Sequence, residues 1–192
     1  MPGSTCCKRA HHRVTSTTNQ PLLSLERLRM HTATLFAPGL YSSGQPSVDD
    51  LAALAAIGVR SIINLRGADE DSGYDEAHET ARVGMRYMTL PIVGPDAVTA
   101  ENAARLAHAI QQARTHGDVL VHCASGNRVG ALIALERGLV HRDSPAQAIA
   151  LGRAAGLTTL EPCVAALYPD ADMGNECCSL RNLVSDIHVS HH

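Results

Sequence analysis

Twelve residues constrain this chain more than any others: Val119-Leu120-Val121-His122-Cys123-Ala124-Ser125-Gly126-Asn127-Arg128-Val129-Gly130. An apolar run ends in a histidine and a cysteine, a short Ser/Gly/Asn loop follows, and a helical pattern begins at the arginine. A buried strand feeding a helix through a tight loop is a joint of an α/β fold. The helix N-terminus carries partial positive charge, and the amides of such a loop converge on one anionic centre. A free thiol is only about 3% ionised at neutral pH, whereas helix termini and nearby cations make the thiolate dominant in reactive cysteines. The segment reads as an active-site loop around a nucleophilic Cys123, which must be reachable for that chemistry.

The rest of the chain supplies a matching pattern. Leu40 to Gly44 reads as a short strand entering a turn at Gln45-Pro46. Ser47, with Asp50 three residues on, caps a helix through Leu51, Leu54 and Ile57 that stops at Gly58. Val59 to Leu65 is an apolar strand, Tyr74 to Val83 a helix and Met85 to Leu90 a strand; Pro91 to Val98 is a loop. Thr99 caps a helix to about Thr115, and another runs from Arg128 to His141. Ser144-Pro145 opens a helix ending near Gly156, and Thr158 or Thr159 caps a last one through Leu167. This alternation predicts an α/β domain with a mostly parallel sheet of four to five strands and helices on both faces. Ligands bind beyond the carboxyl ends of such strands, which sets Cys123 and the Pro91 to Val98 loop around one pocket.

Residues 1–34 read as a disordered or loosely packed extension, 35–168 as the catalytic domain and 169–192 as a C-terminal tail. With no Trp and one Phe, Phe36, the core must be built from Ala, Leu, Ile and Val. A net charge of −3 gives no general pull toward nucleic acid or an anionic membrane, so any anion site is local. No apolar stretch is long enough to span a bilayer and no secretory signal is evident, so a cytoplasmic enzyme is expected. Of six cysteines, Cys6 and Cys7 and then Cys177 and Cys178 are adjacent pairs in the tails, without zinc-ligand spacing. No metal or cofactor is implied.

Within the loop, Gly126 lets the backbone bend inward and Arg128 offers a planar fork to two oxygens of a tetrahedral anion. His122 adjoins Cys123 on a strand, so its side chain points the opposite way and is expected to be buried and bonded to the loop backbone.

These residues resemble the cysteine-dependent protein tyrosine and dual-specificity phosphatase superfamily, whose signature is H-C-x-x-G-x-x-R. More closely, Tyr41-Ser42-Ser43-Gly44-Gln45-Pro46, Ile63-Asn64-Leu65-Arg66 and the Cys123 loop are similar to the phosphatase-like domain of bacterial beta-lactamase-hydrolase-like proteins. The likeness covers about residues 36–168. It implies a dual-specificity-phosphatase-like fold and a phosphatase-like hydrolase of the EC 3.1.3 type, with Cys123 as nucleophile and Arg128 as anion clamp. Ala124, Ser125, Gly126 and Asn127 then bind substrate together with Arg128. It also implies a general acid on a loop before the cysteine strand, where Asp96 stands; a plain turn residue after Pro95 is an equal reading.

Two features depart from the superfamily. Four residues, not five, separate Cys123 from Arg128, and Val129 replaces the usual Ser or Thr. The shorter loop is similar to that of rhodaneses, which hold a persulfide on cysteine and need no general acid. Three readings follow: a phosphatase-like hydrolase acting on a small anionic or phosphorylated substrate, a sulfurtransferase, and a non-catalytic anion-binding module. Arg66, at a strand end on the same sheet edge, either attracts the anion or is simply solvated. Asp69, Glu70 and Asp71 read as a solvated loop, and Gln45 as a turn residue that the resemblance sets near the pocket. Glu101 is explained by a helix first turn and Cys163 by packing.

Overall fold

The computed structural model describes residues 33–168. The extension to residue 32, the tail from residue 169 and the paired cysteines lie outside them. Five strands, β1 (Ala33–Ala37), β2 (Leu40–Ser43), β3 (Val59–Asn64), β4 (Arg86–Thr89) and β5 (Asp118–His122), form one sheet in the order β1-β2-β5-β3-β4. Only the β1–β2 pair is antiparallel; β5 lies at the centre, parallel to β2 and β3. Among the described residues six α-helices accompany it: α1 (Val48–Ile57), α2 (Glu76–Arg82), α3 (Ala100–Ala113), α4 (Asn127–Leu135), α5 (Pro145–Ala154) and α6 (Glu161–Ala166). This is the mostly parallel α/β sheet that the pattern predicts.

A central strand buried on both faces explains the unbroken apolar run before Cys123. Val119, Val121 and Cys123 face one apolar layer, shared with α3, α4 and α5. Leu120 faces the other, made with Leu51 and Leu54 of α1, Ile62 and Met85. The caps hold as read: Ser47 and Asp50 form a capping box, as do Ser144 and Gln147, and Thr99 accepts from the Asn102 amide.

Three details differ from the sequence reading. β1 straddles the expected boundary at residue 34, where the sequence predicts no element; it is an edge strand with exposed Thr34 and Leu35, so it shows no alternation to recognise. The helix after the loop ends its α-geometry at Leu135 and widens into a π turn over Glu136–Val140. Tyr168 supplies the reason: its hydroxyl donates to the Ala134 carbonyl at 2.7 Å, and its ring lies where a side chain at Gly138 would have to stand. Neither threonine caps α6, whose N-cap is Leu160. Thr159 instead accepts a hydrogen bond from Asn127. Among the described residues no helix is long and apolar enough to cross a membrane.

Candidate active site

Cys123 follows the last residue of β5 and α4 begins four residues later, so the loop between them is short and closely defined. Gly126 turns it at φ 87°, a left-handed conformation that a side chain would strain. That turn aims the Gly126 amide at the cysteine: its N–H donates to Sγ at 3.1 Å. The first amides of α4 have no intrahelical acceptor, which makes this helix end a place for an anion. The turn Gly44-Gln45-Pro46 lies across the loop, Gly44 bridging Ser125 and the Gln45 amide donating to the Ala124 carbonyl at 3.4 Å. A side chain on Gly44 would approach that carbonyl to 2.9 Å, so the crossing needs glycine.

The thiol is deeper than the sequence reading expects. Cys123 is 1% exposed, although Ala124 and Ser125 directly after it are exposed. Asn127 departs from its expected part: its side-chain amide binds Thr159 Oγ1 at 2.7 Å and the Thr158 N–H at 2.8 Å. It fastens the loop to the start of α6 and leaves only its backbone N–H for an anion. Val129 is fully buried in the core.

Arg128 is held by a residue the sequence reading assigned to a solvated loop. Its Nη1 and Nη2 donate to Glu70 Oε1 and Oε2, both at 2.6 Å, and Nη1 donates also to the Ile92 carbonyl at 2.8 Å. A guanidinium has five N–H groups. Three are used here, leaving Nε–H and one Nη2–H side by side as a fork for two oxygens. The Glu70 carboxylate and then the nearby Cys123 sulfur raise the Arg128 pKa against the opposing effect of burial. The Glu70 carboxyl is lowered to about 2, chiefly by its bond from Arg128, with help from the Gly67 amide and Arg66. Asp69 and Asp71 are exposed, as expected.

Arg66 is no solvated strand end. Its side chain is 9% exposed and donates to Gln45 Oε1, to Glu70 Oε2 at 3.4 Å and to the Asp71 carbonyl at 2.7 Å. It reaches Arg128 through Glu70. The sequence carried one faint signal, the i, i+4 spacing of Arg66 and Glu70, which looks the same in a solvated loop.

His122 is fully buried on the face opposite Cys123, as alternation requires. Its ring does not bond the loop backbone. Nε2 stands 3.0 Å from Glu76 Oε1, near enough for an ion pair but out of line for a hydrogen bond, and Nδ1 has no partner among the described residues. Glu76, on the first turn of α2, is 4% exposed and accepts from Gln45 Nε2 at 3.1 Å, Asn64 Nδ2 at 3.0 Å and the Tyr87 hydroxyl at 3.1 Å. Nothing in the sequence of the seven-residue α2 distinguishes this buried carboxylate from Glu79.

Asp96 lies in a 3-10 turn, Pro95–Ala97, exposed and without an ion-pair partner among the described residues. Its loop is tied to Arg128 through the Ile92 carbonyl. Glu101 is exposed in the first turn of α3, and Cys163 is half-buried in α6.

A family model described as a DSP-PTPase phosphatase fused to NAD+ kinase matches residues 29–161. Beta-lactamase hydrolase-like proteins of Xylella fastidiosa and Agrobacterium fabrum are 38% and 34% identical over 59% and 50% of this chain. These stretches are 27% and 23% of the relatives' own length, so the chain spans about a quarter of them. Among solved structures, P. aeruginosa TpbA in complex with phosphotyrosine superposes with a TM-score of 0.58 at 22% identity, over 73% of this chain and 85% of that one. A DUF442 protein of Shewanella putrefaciens superposes at 0.54 and 24% identity, over 77% and 98%. At these identities the likeness carries the fold alone. The family match, which spans the cysteine loop, Glu70 and Glu76 alike, settles the wider assignment: the chain belongs to the DSP-PTPase phosphatase family whose members are described as fused to NAD+ kinase.

Proposed function

We propose that this domain is a cysteine-dependent phosphatase that hydrolyses a phosphate monoester through a covalent intermediate on Cys123. The observation that carries the reading is the convergence on one sulfur of the Gly126 N–H, at 3.1 Å, and of an arginine pinned by Glu70 and Ile92. The Cys123 thiolate attacks phosphorus, an S–P bond forms, and the bond to the leaving oxygen breaks while Asp96 protonates that oxygen. Water then attacks the phosphocysteine, Asp96 takes its proton, and inorganic phosphate leaves. Arg128 and the loop amides hold the equatorial oxygens through both steps.

The test is a side-by-side assay of p-nitrophenyl phosphate and thiosulfate on the wild type, Cys123→Ser and Asp96→Asn. Ester turnover should vanish in Cys123→Ser and fall by about 10²–10⁴ in Asp96→Asn, while phosphate still binds. Unchanged turnover in Asp96→Asn removes that residue from the mechanism. The four-residue loop is what favours sulfur transfer as the second reading; a sulfur-sized mass gain on Cys123 from thiosulfate, without ester turnover, would replace the phosphatase reading. Saturable phosphate binding without turnover of either substrate would leave an anion-binding module.

A further inference from the structure

A line of side chains runs from a buried carboxylate to the anion clamp. Glu76 Oε1 accepts from Gln45 Nε2 at 3.1 Å; Gln45 Oε1 accepts from Arg66 Nη1; Arg66 Nε donates to Glu70, which grips Arg128. Gln45 is the crossing point, because its amide has unlike ends. Its Nε2 faces three acceptors, Glu76 Oε1, the Tyr74 hydroxyl oxygen at 3.3 Å and the Pro46 carbonyl at 3.3 Å. Its oxygen faces a guanidinium, which has donors only. Reversing the amide would set NH₂ against Arg66 and oxygen against a carboxylate, so the acceptor at Glu76 fixes which way Gln45 points. Tyr74 reinforces that choice: its hydroxyl donates to the Pro46 carbonyl at 2.8 Å, leaving its oxygen to accept. Burial, then the Glu76 charge, pushes its pKa up to about 12, so it stays a neutral phenol.

We infer that Glu76 is a positioning residue of the site: as the buried acceptor at the end of the line, it orients Gln45, which holds Arg66 against Glu70 and so holds Arg128 in register with the Cys123 loop. The inference rests on the phosphatase reading for its purpose, yet it is a claim about anion binding and is measured without turnover. Glu76 touches neither sulfur nor anion fork; its grip passes through neighbours. Replacement by glutamine keeps the shape and adds an NH₂ that Gln45, Asn64, Tyr87 and His122 cannot all accommodate. Gln45 then turns over and releases Arg66.

The experiment uses the full chain and follows alkylation of Cys123 by iodoacetamide, peptide by peptide, as inorganic phosphate is added. In Glu76→Gln the phosphate needed for half-protection rises about tenfold, the scale expected when a binding group loses its register. The exchanged pair Gln45→Glu with Glu76→Gln keeps an acceptor facing Arg66; its second oxygen takes a donor from position 76 and another from Tyr74, whose hydroxyl turns to it from the Pro46 carbonyl, and protection returns to within about threefold of the wild type. A merely structural role for Glu76 would not be rescued by moving the charge to position 45. Gln45→Met leaves Glu76 its donors Asn64 and Tyr87 and guards against a misfolded Glu76→Gln; it weakens protection to the same extent. Folded Glu76→Gln or Gln45→Met protein that phosphate protects as well as wild type overturns the inference, as does an exchanged pair no better than Glu76→Gln. A wild type that phosphate does not protect overturns both this inference and the phosphatase reading. A wild type that is protected but turns over no ester overturns the phosphatase reading alone.

Discussion

At the scale of single residues, the Arg128–Glu70 pair fixes how the guanidinium lies beside Cys123. Glu70 takes the far end of the guanidinium and turns its inner edge toward the sulfur. Glu70→Ala leaves that fork free to swing, and ester turnover should fall by about tenfold to a hundredfold; turnover equal to wild type would show that Ile92 alone sets the arginine. The pair also leaves a mark on acid stability. The Glu70 carboxyl is held at about 2, below its ordinary 4.5, so the native state favours its ionised form. The stabilisation is fully present above 4.5 and is lost as the pH falls from there through about 2. Urea unfolding of the wild type against Glu70→Gln should show the gap between the two closing over that interval; a gap that persists at pH 2 would contradict it. That Cys123, Gly126 and Arg128 share one tight loop was legible in sequence, because they are near neighbours along the chain. Glu70 and Glu76 were not, since their roles depend on partners in other elements: Arg128 lies 58 positions from Glu70 and Gln45 lies 31 from Glu76.

At the scale of elements, α4 must reach the sheet and its neighbours with little clearance. A side chain at Gly130 would come within 2.1 Å of the Leu157 amide nitrogen and 2.5 Å of the Gly152 carbonyl oxygen, so α4 and α5 meet backbone to backbone. Gly130→Ala forces the two apart and should cost about 1–3 kcal/mol, read as a lower midpoint in urea. Because α4 also carries the loop, phosphate affinity should fall with it; a variant unchanged in both would refute the packing. The helix itself was plain in sequence, but its π turn was not. That turn answers to the Tyr168 hydroxyl on the Ala134 carbonyl, a contact 34 positions distant that periodicity does not record. The capping of α1, α3 and α5 was readable because each cap uses residues within one turn.

For the molecule as a whole, one central sheet separates two apolar layers, and β5 contributes to both. Leu120 on one face and Leu132 of α4 on the other are each fully buried. Truncating either to alanine should cost about 2–5 kcal/mol and shift a single urea transition rather than split it, because neither layer holds without the strand between them. Two separate transitions would mean that the layers fold independently. The mostly parallel sheet was legible because strands and helices alternate along the chain, whereas edge strand β1 was not, its faces being too exposed to leave a pattern.

The depth of Cys123 has a consequence for choice among substrates. On the phosphatase proposal, a sulfur only 1% exposed admits the phosphoryl head of a monoester and leaves the alcohol outside, beside exposed groups such as Ser125. Discrimination between one alcohol and another then belongs to this outer rim rather than to the loop that holds the sulfur.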